Sequence, residues 1–273
     1  MKKISRITTQ KKSKSRYNIY LVEGDRDTYG FSVDEAVLIE HNLRKGLELD
    51  EATMETLKRK DTLQKAYTLA VNFLSYRMRT IKEMNDYLVK KEVDEEHIDP
   101  IIDKLIKEGY LNDKEFAKAF VQTRLNTSHK GPQLVKRELI EKGVASGIAT
   151  EAVGMYTYEQ QFEKAEKWVE KKIRSSKKDS FKKQSQQLQS NLMQKGFTQD
   201  VIQDVLQSFQ EAKDDHTEWD ALVYQGEKLV RKHERKYSSF ELKSKVKEGL
   251  YRKGFSMENI KRFVEEYVED GRD

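Results

Sequence analysis

The sequence predicts a mainly α-helical protein: tandem three-helix repeats in an elongated, slightly superhelical array, preceded by a small α+β N-terminal domain. Three observations predict this fold. Hydrophobic residues make up only 36% of the 273 residues and charged residues another 36%, which suits thin helical layers better than one thick core. Only two prolines occur, so long helices are barely interrupted. A helix ending, written ELIEKGV at 138–144, recurs in modified form in three other places.

The first 60 residues begin with a pattern typical of β-strands. Ile4 and Ile7 alternate with polar residues, and the run YNIYLV at 17–22 follows after a basic segment, KKSKSR. Alternation with a period of two indicates strands that bury one face. We therefore predict two strands that form a hairpin around the basic turn.

Short helices are predicted to complete this domain, which we assign to residues 1–60. Ser32 followed three residues later by Glu35 resembles a helix start, and the predicted helix continues to Leu43. A second helix is predicted from Leu47 to about Lys60.

Four leucines anchor the recurring unit, one in each copy: Leu88, Leu139, Leu192 and Leu250. Around each of them, apolar residues recur at spacings of three, four and seven, which predicts two amphipathic helices. Three copies end the first of these helices with lysine and glycine, at Gly143, Gly196 and Gly254. Glycine closes a helix there because it adopts the left-handed conformation without a Cβ penalty. The first copy has Glu92 instead, which predicts a weaker or different cap.

A third helix precedes each pair, because a small residue in every copy is followed by apolar residues three and four positions later. These small residues are Ala70, Ala117, Ala165 and Gly226. Thr80 with Glu83, and Asn112 with Glu115, are capping-box patterns that mark helix starts. The predicted three-helix repeats, which must stack to bury their faces, span residues 61–110, 111–158, 159–212 and 213–273.

Basic residues collect at one position of the repeat, the connection between its first and second helices. Residues 164–183 hold nine basic and three acidic side chains, and residues 228–247 hold eight and two. Residues 1–16 add seven basic side chains and no acid. Stacked repeats would align these connections along one edge, which favours a polyanionic partner, although charged loops can also serve solubility alone.

Several classes of function are disfavoured. The chain has no cysteine, so thiolate metal sites and cysteine nucleophiles are excluded. No phosphate-binding glycine motif is present, and the five histidines are scattered. Asp214, Asp215 and His216, together with Glu218, could hold a metal, but we interpret them as helix or linker charge. We expect a non-enzymatic protein without cofactor or metal, in the cytoplasm, since neither a signal peptide nor a membrane-length apolar run is found.

The aromatic residues are interpreted mainly as core. Tyr156, Trp168 and Tyr267 occupy repeat positions that are predicted to face the interior. Tyr76 and Tyr237 lie beside basic loops and are better candidates for surface contacts.

Three stretches carry a resemblance to a known family. They are LAVNFLSYRMRTIKEMNDYL (69–88), IDKLIKEGYLNDKEFAKAFV (102–121) and GPQLVKRELIEKGV (131–144). The chain resembles the RecX family, the regulators of the RecA recombinase, from about residue 1 to residue 270. The fourth repeat and a degenerate third make it long beside the smallest members.

The resemblance implies a function that charge alone cannot name. RecX proteins are non-enzymatic repeat proteins that bind in the groove of the RecA filament on single-stranded DNA and oppose ATP hydrolysis, strand exchange and coprotease activity. The implied partners are thus the RecA filament and single-stranded DNA, contacted directly or through RecA, with the protein a monomer and no membrane involved.

Contact candidates come from the basic connections and the basic strand turn. They are Arg77, Arg79, Arg124, Lys130, Lys136, Arg137, Lys171, Lys172, Arg174, Lys11, Lys12, Lys14 and Arg16. Arg77 has an alternative role, to lock a helix junction through an acid such as Asp113. Two other functions stay open: a general single-stranded-DNA-binding protein without RecA specificity, and a scaffold that binds another protein.

Overall fold

A computed structural model describes residues 1–173, 178–211 and 215–268 of the chain, the side chain of residue 215 excepted. These residues form four strands and thirteen helices. In chain order they are β1 (Lys2–Thr9), β2 (Arg16–Glu23), β3 (Arg26–Asp34), α1 (Glu35–Glu40), β4 (Glu48–Leu49), α2 (Glu51–Leu74), α3 (Ile81–Lys90), α4 (Glu95–Lys107), α5 (Asp113–Thr127), α6 (Pro132–Glu141), α7 (Ser146–Val153), α8 (Tyr158–Ile173), α9 (Phe181–Gln194), α10 (Gln199–Glu211), α11 (Asp215–His233), α12 (Ser239–Arg252) and α13 (Met257–Tyr267).

The strands form one antiparallel sheet in the order β3-β2-β1-β4. The predicted hairpin of β1 and β2 is confirmed, but the helix predicted from Ser32 to Leu43 is wrong at its start. Residues 26–34 form the strand β3, and α1 begins at Glu35, where Asp34 rather than Ser32 caps it. Ser32 is instead paired across the sheet with Asn18.

The inner face of the sheet builds the first core. Ile4, Ile19 and Phe31 are almost fully buried there, and Leu57 of α2 packs into the same cluster. The complete burial of side chains of this size is worth about 1.5–3 kcal/mol each. This core therefore attaches the sheet to the first half of α2.

The helix predicted from Leu47 to about Lys60 is wrong at both ends. α2 starts at Glu51, behind the capping side chain of Asp50, and continues without interruption to Leu74. No glycine or proline interrupts this stretch, and its buried side chains serve two cores. The boundary predicted between residues 60 and 61 consequently falls inside α2, which is also the first helix of the first repeat.

Four three-helix repeats follow, which confirms the predicted fold class. They are α2–α3–α4, α5–α6–α7, α8–α9–α10 and α11–α12–α13. The anchor leucines of all four second helices are 0% exposed. By contacts, the chain divides into two compact units: Met1–Phe116 with Lys142–Val144, and the rest of the described residues.

The left-handed helix ends predicted from the sequence are confirmed. Gly143, Gly196 and Gly254 have φ angles of 89°, 81° and 91°, and Glu92 occupies the same region at 56°. A residue with a Cβ pays roughly 1–2 kcal/mol for this conformation. The first repeat therefore ends its second helix in the same geometry at a higher cost.

These Lys-Gly endings do more than cap. The Thr80 hydroxyl, at the start of α3, donates 2.7 Å to the Lys142 carbonyl. At the start of α6, Gly131 N–H donates 2.8 Å to the Lys195 carbonyl. At the start of α9, the Ser180 hydroxyl donates to the Lys253 carbonyl. The beginning of one second helix thus rests on the Lys-Gly ending of the next, and we call each such contact a Lys-Gly junction.

Two of these helix starts also receive an acid from further along the chain. Asp113 accepts a 3.0 Å hydrogen bond from the N–H of Ile81 in α3, and Glu218 accepts one of 2.7 Å from the N–H of Phe181 in α9. A carboxylate is favourable beside a helix N-terminus because it satisfies free amide donors and complements the helix dipole.

The aromatic predictions are partly confirmed. Tyr156 is buried and Trp168 packs against the core of the third repeat. Tyr267 was predicted to face the interior, but it is 44% exposed. One face of its ring is stacked on Phe263 near the end of α13. Tyr76 is 85% exposed, as expected for a surface residue.

Candidate contact surface

Arg77 lies in an ion-pair network at the start of α3. Its guanidinium donates to both carboxylate oxygens of Glu83, at 3.1 and 3.2 Å, and Lys142 donates to the same carboxylate at 2.9 Å. Glu83 also lies three residues after Thr80 and completes the capping box that begins there. Arg77 thus does hold a helix junction, but through Glu83 and not through Asp113, whose carboxylate instead caps α3.

Arg79 lies flat on an aromatic pair. Phe73 and Tyr87 are stacked with their centroids 3.8 Å apart, and the Arg79 guanidinium carbon is 3.9 Å from the Phe73 centroid. Burial and the neighbouring Arg77 lower the pKa of Arg79, while the charge of Glu83 opposes that shift. Glu83 therefore stabilises two neighbouring guanidinium groups at once.

The second repeat contains the same kind of network. Arg124 Nε donates 2.9 Å to Glu138, and Lys130 donates to the other oxygen of that carboxylate. The Arg124 guanidinium also lies 4.6 Å from the Phe120 centroid. Burial raises the pKa of Glu138, but the hydrogen bond from Lys130 and the charge of Arg124 outweigh it, so its pKa is lowered.

The four candidates in the first two connections, Arg77, Arg79, Arg124 and Lys130, are therefore engaged inside the protein. Sequence reasoning counted the bases of these connections and missed the two glutamates, Glu83 and Glu138, that neutralise them. One signal was present: Glu83 was identified as a capping residue, and such a carboxylate lies close to the connection before it. Glu138 is separated from Arg124 by fourteen residues, and no local pattern relates the two.

We expect Glu83→Gln to lower the free energy of unfolding of the first unit by about 1.5–3 kcal/mol at pH 7, because Arg77 and Lys142 lose a charged acceptor. Burial raises the pKa of Glu83, but the hydrogen bonds from Arg77 and Lys142 lower it by more, so its pKa lies below the usual 4.5. The stabilisation is therefore present above about pH 4.5 and disappears as the pH falls through the lowered pKa. Urea unfolding at pH 7 and pH 3 measures this.

Asp86→Asn is the matched control, because it removes an exposed partner of Lys82 on the same helix. Its expected effect is below about 1 kcal/mol. Equal effects of the two substitutions, or a loss in Glu83→Gln that persists unchanged in acid, would contradict the assigned role of Glu83.

Arg16 is likewise engaged inside the protein. Its guanidinium donates to both oxygens of Asp61, at 3.1 and 2.8 Å, and to Ser32 at 3.1 Å. Only 16% of the Arg16 side chain and 4% of the Asp61 side chain are exposed. This candidate joins the sheet to α2 and is poorly placed for an outside partner.

The other candidates lie nearer the surface. Lys11, Lys12 and Lys14 are exposed in the turn between β1 and β2. On α6, Arg137 is exposed and Lys136 is half-buried. Two more, Lys171 and Lys172, are exposed at the end of α8. The remaining candidate, Arg174, lies outside the described residues.

A polar groove of about 380 Å³ lies between α5 and α8. Lys164 lines this groove and donates to the carbonyls of Leu125 and Ser128. Carbonyls at the C-terminal end of a helix such as α5 lack donor partners within the helix, and Lys164 supplies one. Burial and the charges of Lys164, Lys195 and Lys171 lower the pKa of His129. The positive charge that acts on His129 thus comes in part from two basic residues that sequence reasoning did not select, Lys164 and Lys195.

Among the described residues, no group of three or more His, Asp or Glu side chains is placed to hold a metal ion. In the same part of the chain, every helix is too short or too polar to cross a membrane.

Four family models match the chain. The RecX N-terminal domain matches residues 2–50, the first three-helix domain of RecX residues 66–105, and the second residues 112–153. The third three-helix domain matches twice, at 159–206 and 216–264. Both of the last two repeats are therefore similar to the same domain.

Whole proteins and solved structures agree with these matches. The regulatory protein RecX of Oceanobacillus iheyensis is 53% identical over 99% of this chain and all of that protein. The regulatory protein RecX of Bacillus cytotoxicus is 43% identical over 98% of this chain and 99% of its own. A crystal structure of regulatory protein RecX covers 75% of this chain and all of its own at 36% identity, with a TM-score of 0.67. RecX from Lactobacillus salivarius covers 55% of this chain and 97% of its own at 38% identity, with a TM-score of 0.53.

Proposed function

Since the chain belongs to the RecX family of regulatory proteins, we propose that it binds the RecA filament on single-stranded DNA and inhibits the recombinase, ATPase and coprotease activities of RecA. The observation that carries this proposal is the match of RecX domains from residue 2 to residue 264. The protein acts as a monomer in the cytoplasm, without catalysis of its own.

Contact falls on basic residues that are exposed or half-buried at the surface. These are the exposed turn of β1 and β2 with Lys11, Lys12 and Lys14, the pair Lys136 and Arg137 on α6, and the pair Lys171 and Lys172 on α8. Lysine and arginine can contact phosphates of DNA or carboxylates of RecA. Several weak contacts on one chain add up through multivalency.

Arg77, Arg79, Arg124 and Lys130 serve this function indirectly. They hold the connections between first and second helices in place through Glu83, Glu138 and the ring of Phe73. To contact an outside partner, Arg77, Arg124 and Lys130 would have to leave their carboxylates and Arg79 would have to leave the ring of Phe73. Their substitution should therefore reduce stability before it reduces affinity.

A second candidate function is general binding of single-stranded DNA without RecA specificity. The exposed basic turn with Lys11, Lys12 and Lys14 favours it, since such a turn suits phosphate groups of any nucleic acid. A scaffold that binds another protein and no DNA is the third. Only the first function requires RecA; the second requires single-stranded DNA alone, and the third requires neither.

The decisive measurement is ATP hydrolysis by RecA on single-stranded DNA while this protein is titrated in. We expect inhibition well below one protein per RecA. The double charge reversal Lys136→Glu/Arg137→Glu should raise the half-inhibiting concentration about tenfold, which corresponds to about 1.4 kcal/mol. The control Lys107→Glu/Lys261→Glu changes the net charge by the same amount, at exposed sites on α4 and α13. It should change the half-inhibiting concentration less than twofold.

Inhibition that begins only when the protein saturates the DNA would replace this proposal with general DNA binding. Unchanged hydrolysis together with no DNA binding would favour the scaffold. If the half-inhibiting concentration rises equally in the two double variants, inhibition depends on net charge and not on the surface of α6.

A further inference from the structure

The outer face of the N-terminal sheet carries an unusual row of side chains. Arg6 of β1 is paired across the sheet with Tyr20 of β2, and Tyr20 is paired with Tyr29 of β3. The three residues therefore lie side by side on the face opposite the core of Ile19 and Phe31. We call Arg6, Tyr20 and Tyr29 the aromatic row.

The geometry of the aromatic row leaves flat surfaces open. Tyr20 and Tyr29 meet edge to face with their centroids 6.0 Å apart, and the Arg6 guanidinium carbon lies 4.1 Å from the Tyr20 centroid. Tyr29 is 58% exposed and the Arg6 side chain 55%. Exposed tyrosine rings and guanidinium planes are the groups on which unpaired nucleic-acid bases stack.

Charge around the row is distributed unevenly along the strands. The turn with Lys11, Lys12 and Lys14 lies at one end of β1 and β2, while Glu23 and Asp27 lie toward the other. Asp27 lies 4.0 Å from Arg6 Nε, so a phosphate is disfavoured on that side of the row. Tyr20 is four residues from Arg16, so the row is roughly 13 Å from the start of the basic turn. This is within the reach of single-stranded segments of about 4–16 nucleotides that small sheet domains bind.

We propose that the aromatic row is a base-stacking site for single-stranded nucleic acid. Bases stack on Tyr29 and Arg6, and the phosphate backbone runs toward the lysines of the turn and away from Glu23 and Asp27. The ligand class follows from two observations together: flat open surfaces for bases, and a basic turn beside them for phosphates. The site shares the turn lysines with the contact surface proposed above and in that respect rests on the proposed function, but it uses no residue of the helical repeats, and binding to it can be measured without RecA.

A simpler reading is that the row only stabilises the sheet, since cross-strand aromatic pairs do so by about 0.2–1 kcal/mol. That role does not need a nucleic acid, and it would give no preference for an oligonucleotide with bases over one without. The two readings can therefore be separated by the chemistry of the ligand.

The test measures binding of the full chain, without RecA, to an oligo-dT and to an abasic strand of the same length. We expect the native chain to bind oligo-dT about tenfold tighter than the abasic strand, in line with the contribution of one stacked base. Tyr29→Leu should remove most of this preference, while Tyr29→Phe should keep it within twofold. Tyr251→Leu, at an exposed tyrosine of α12, is the matched control and should leave the preference unchanged.

Two further readouts complete the experiment. An oligonucleotide with 5-iodouracil should crosslink on irradiation to Tyr29 or Tyr20. Replacement of the turn lysines Lys11, Lys12 and Lys14 by glutamine should reduce the salt dependence of binding, whereas Tyr29→Leu should not, because stacking releases no counterions.

Equal binding of both strands by the native chain, or a preference that Tyr29→Leu leaves intact, overturns the proposal. So does a Tyr29→Leu chain that binds oligo-dT normally but no longer inhibits RecA, because the row would then contact protein. Since no RecA is present in the binding assay, failure here leaves the RecA proposal to its own test.

Discussion

Replacing Asp61 by alanine is expected to lower the free energy of unfolding of the first unit by about 3–5 kcal/mol, the usual cost of breaking a buried ion pair from one side. The Asp61 carboxylate accepts from both Arg16 nitrogens, from Lys65 at 2.8 Å and from the backbone N–H of Asp34 at 2.8 Å. The substitution leaves a nearly buried guanidinium and a backbone donor without their acceptor.

Acidity should produce the same loss in the native chain. Burial raises the pKa of Asp61, but the hydrogen bonds from Arg16, Lys65 and Asp34 outweigh it, so its pKa is lowered. The stabilisation is present above the usual value of 3.8 and disappears as the pH falls through the lowered pKa. Urea unfolding should therefore show the Asp61→Ala penalty at pH 7 and little of it in strong acid.

Two variants test the mechanism. Lys65→Met removes one exposed ion pair and should cost less than about 1 kcal/mol. Combining Asp61→Leu with Arg16→Met removes both buried charges and should recover much of the loss, because paired buried charges are often replaceable by apolar residues. A small effect of Asp61→Ala on hydrogen exchange in β2 and β3 would show that the pair does not hold the sheet to α2.

Gly196→Ala is expected to destabilise the second unit by about 2–5 kcal/mol. Its φ of 81° alone costs an alanine roughly 1–2 kcal/mol. An added Cβ would also lie 2.3 Å from the backbone nitrogen of Leu134, and backbone cannot move aside as a flexible side chain can. Thermal unfolding followed by circular dichroism measures the loss.

Gly109→Ala is a matched control because it separates the two contributions. Gly109 has a φ of 80°, but no atom lies within 4 Å of the position its Cβ would take. It should pay only the conformational cost. If both variants lose the same stability, the Lys-Gly junction at Gly196 has no steric demand and the contact with Leu134 is looser than the structure places it.

The repeats could be predicted from the sequence because their signals are local and occur four times. Apolar spacing around Leu88, Leu139, Leu192 and Leu250, and glycine after lysine, depend only on neighbours along the chain. The strand β3 was missed because its local pattern is misleading. Gly30 lies in an irregularity of the register between β2 and β3, which breaks the alternation, and Ser32 with Glu35 imitates a helix start.

The candidate contact surface was predictable only in part. The positions of the basic connections follow from the repeat, but their partners come from other segments: Glu138 for Arg124, Lys142 for Glu83 and Asp61 for Arg16. Each of these pairs depends on how helices pack, so no spacing rule predicts it. The sequence therefore indicated where charge is located, and packing decides which charges remain available to a partner.

The Lys-Gly junctions also bear on how such a chain can lengthen over evolution. A duplicated three-helix segment that ends its second helix in Lys-Gly inherits, in the same stretch of gene, the ending on which the segment before it can rest. The third and fourth repeats, which match the same RecX domain, both have this ending, at Gly196 and Gly254. The first repeat has Glu92 at the matching position. At Gly143 an added Cβ would lie 2.3 Å from the Cβ of Lys82 at the start of α3, so this contact requires glycine. A copy of a later repeat would therefore bring a suitable ending with it, whereas a copy of the first would need glycine at that position.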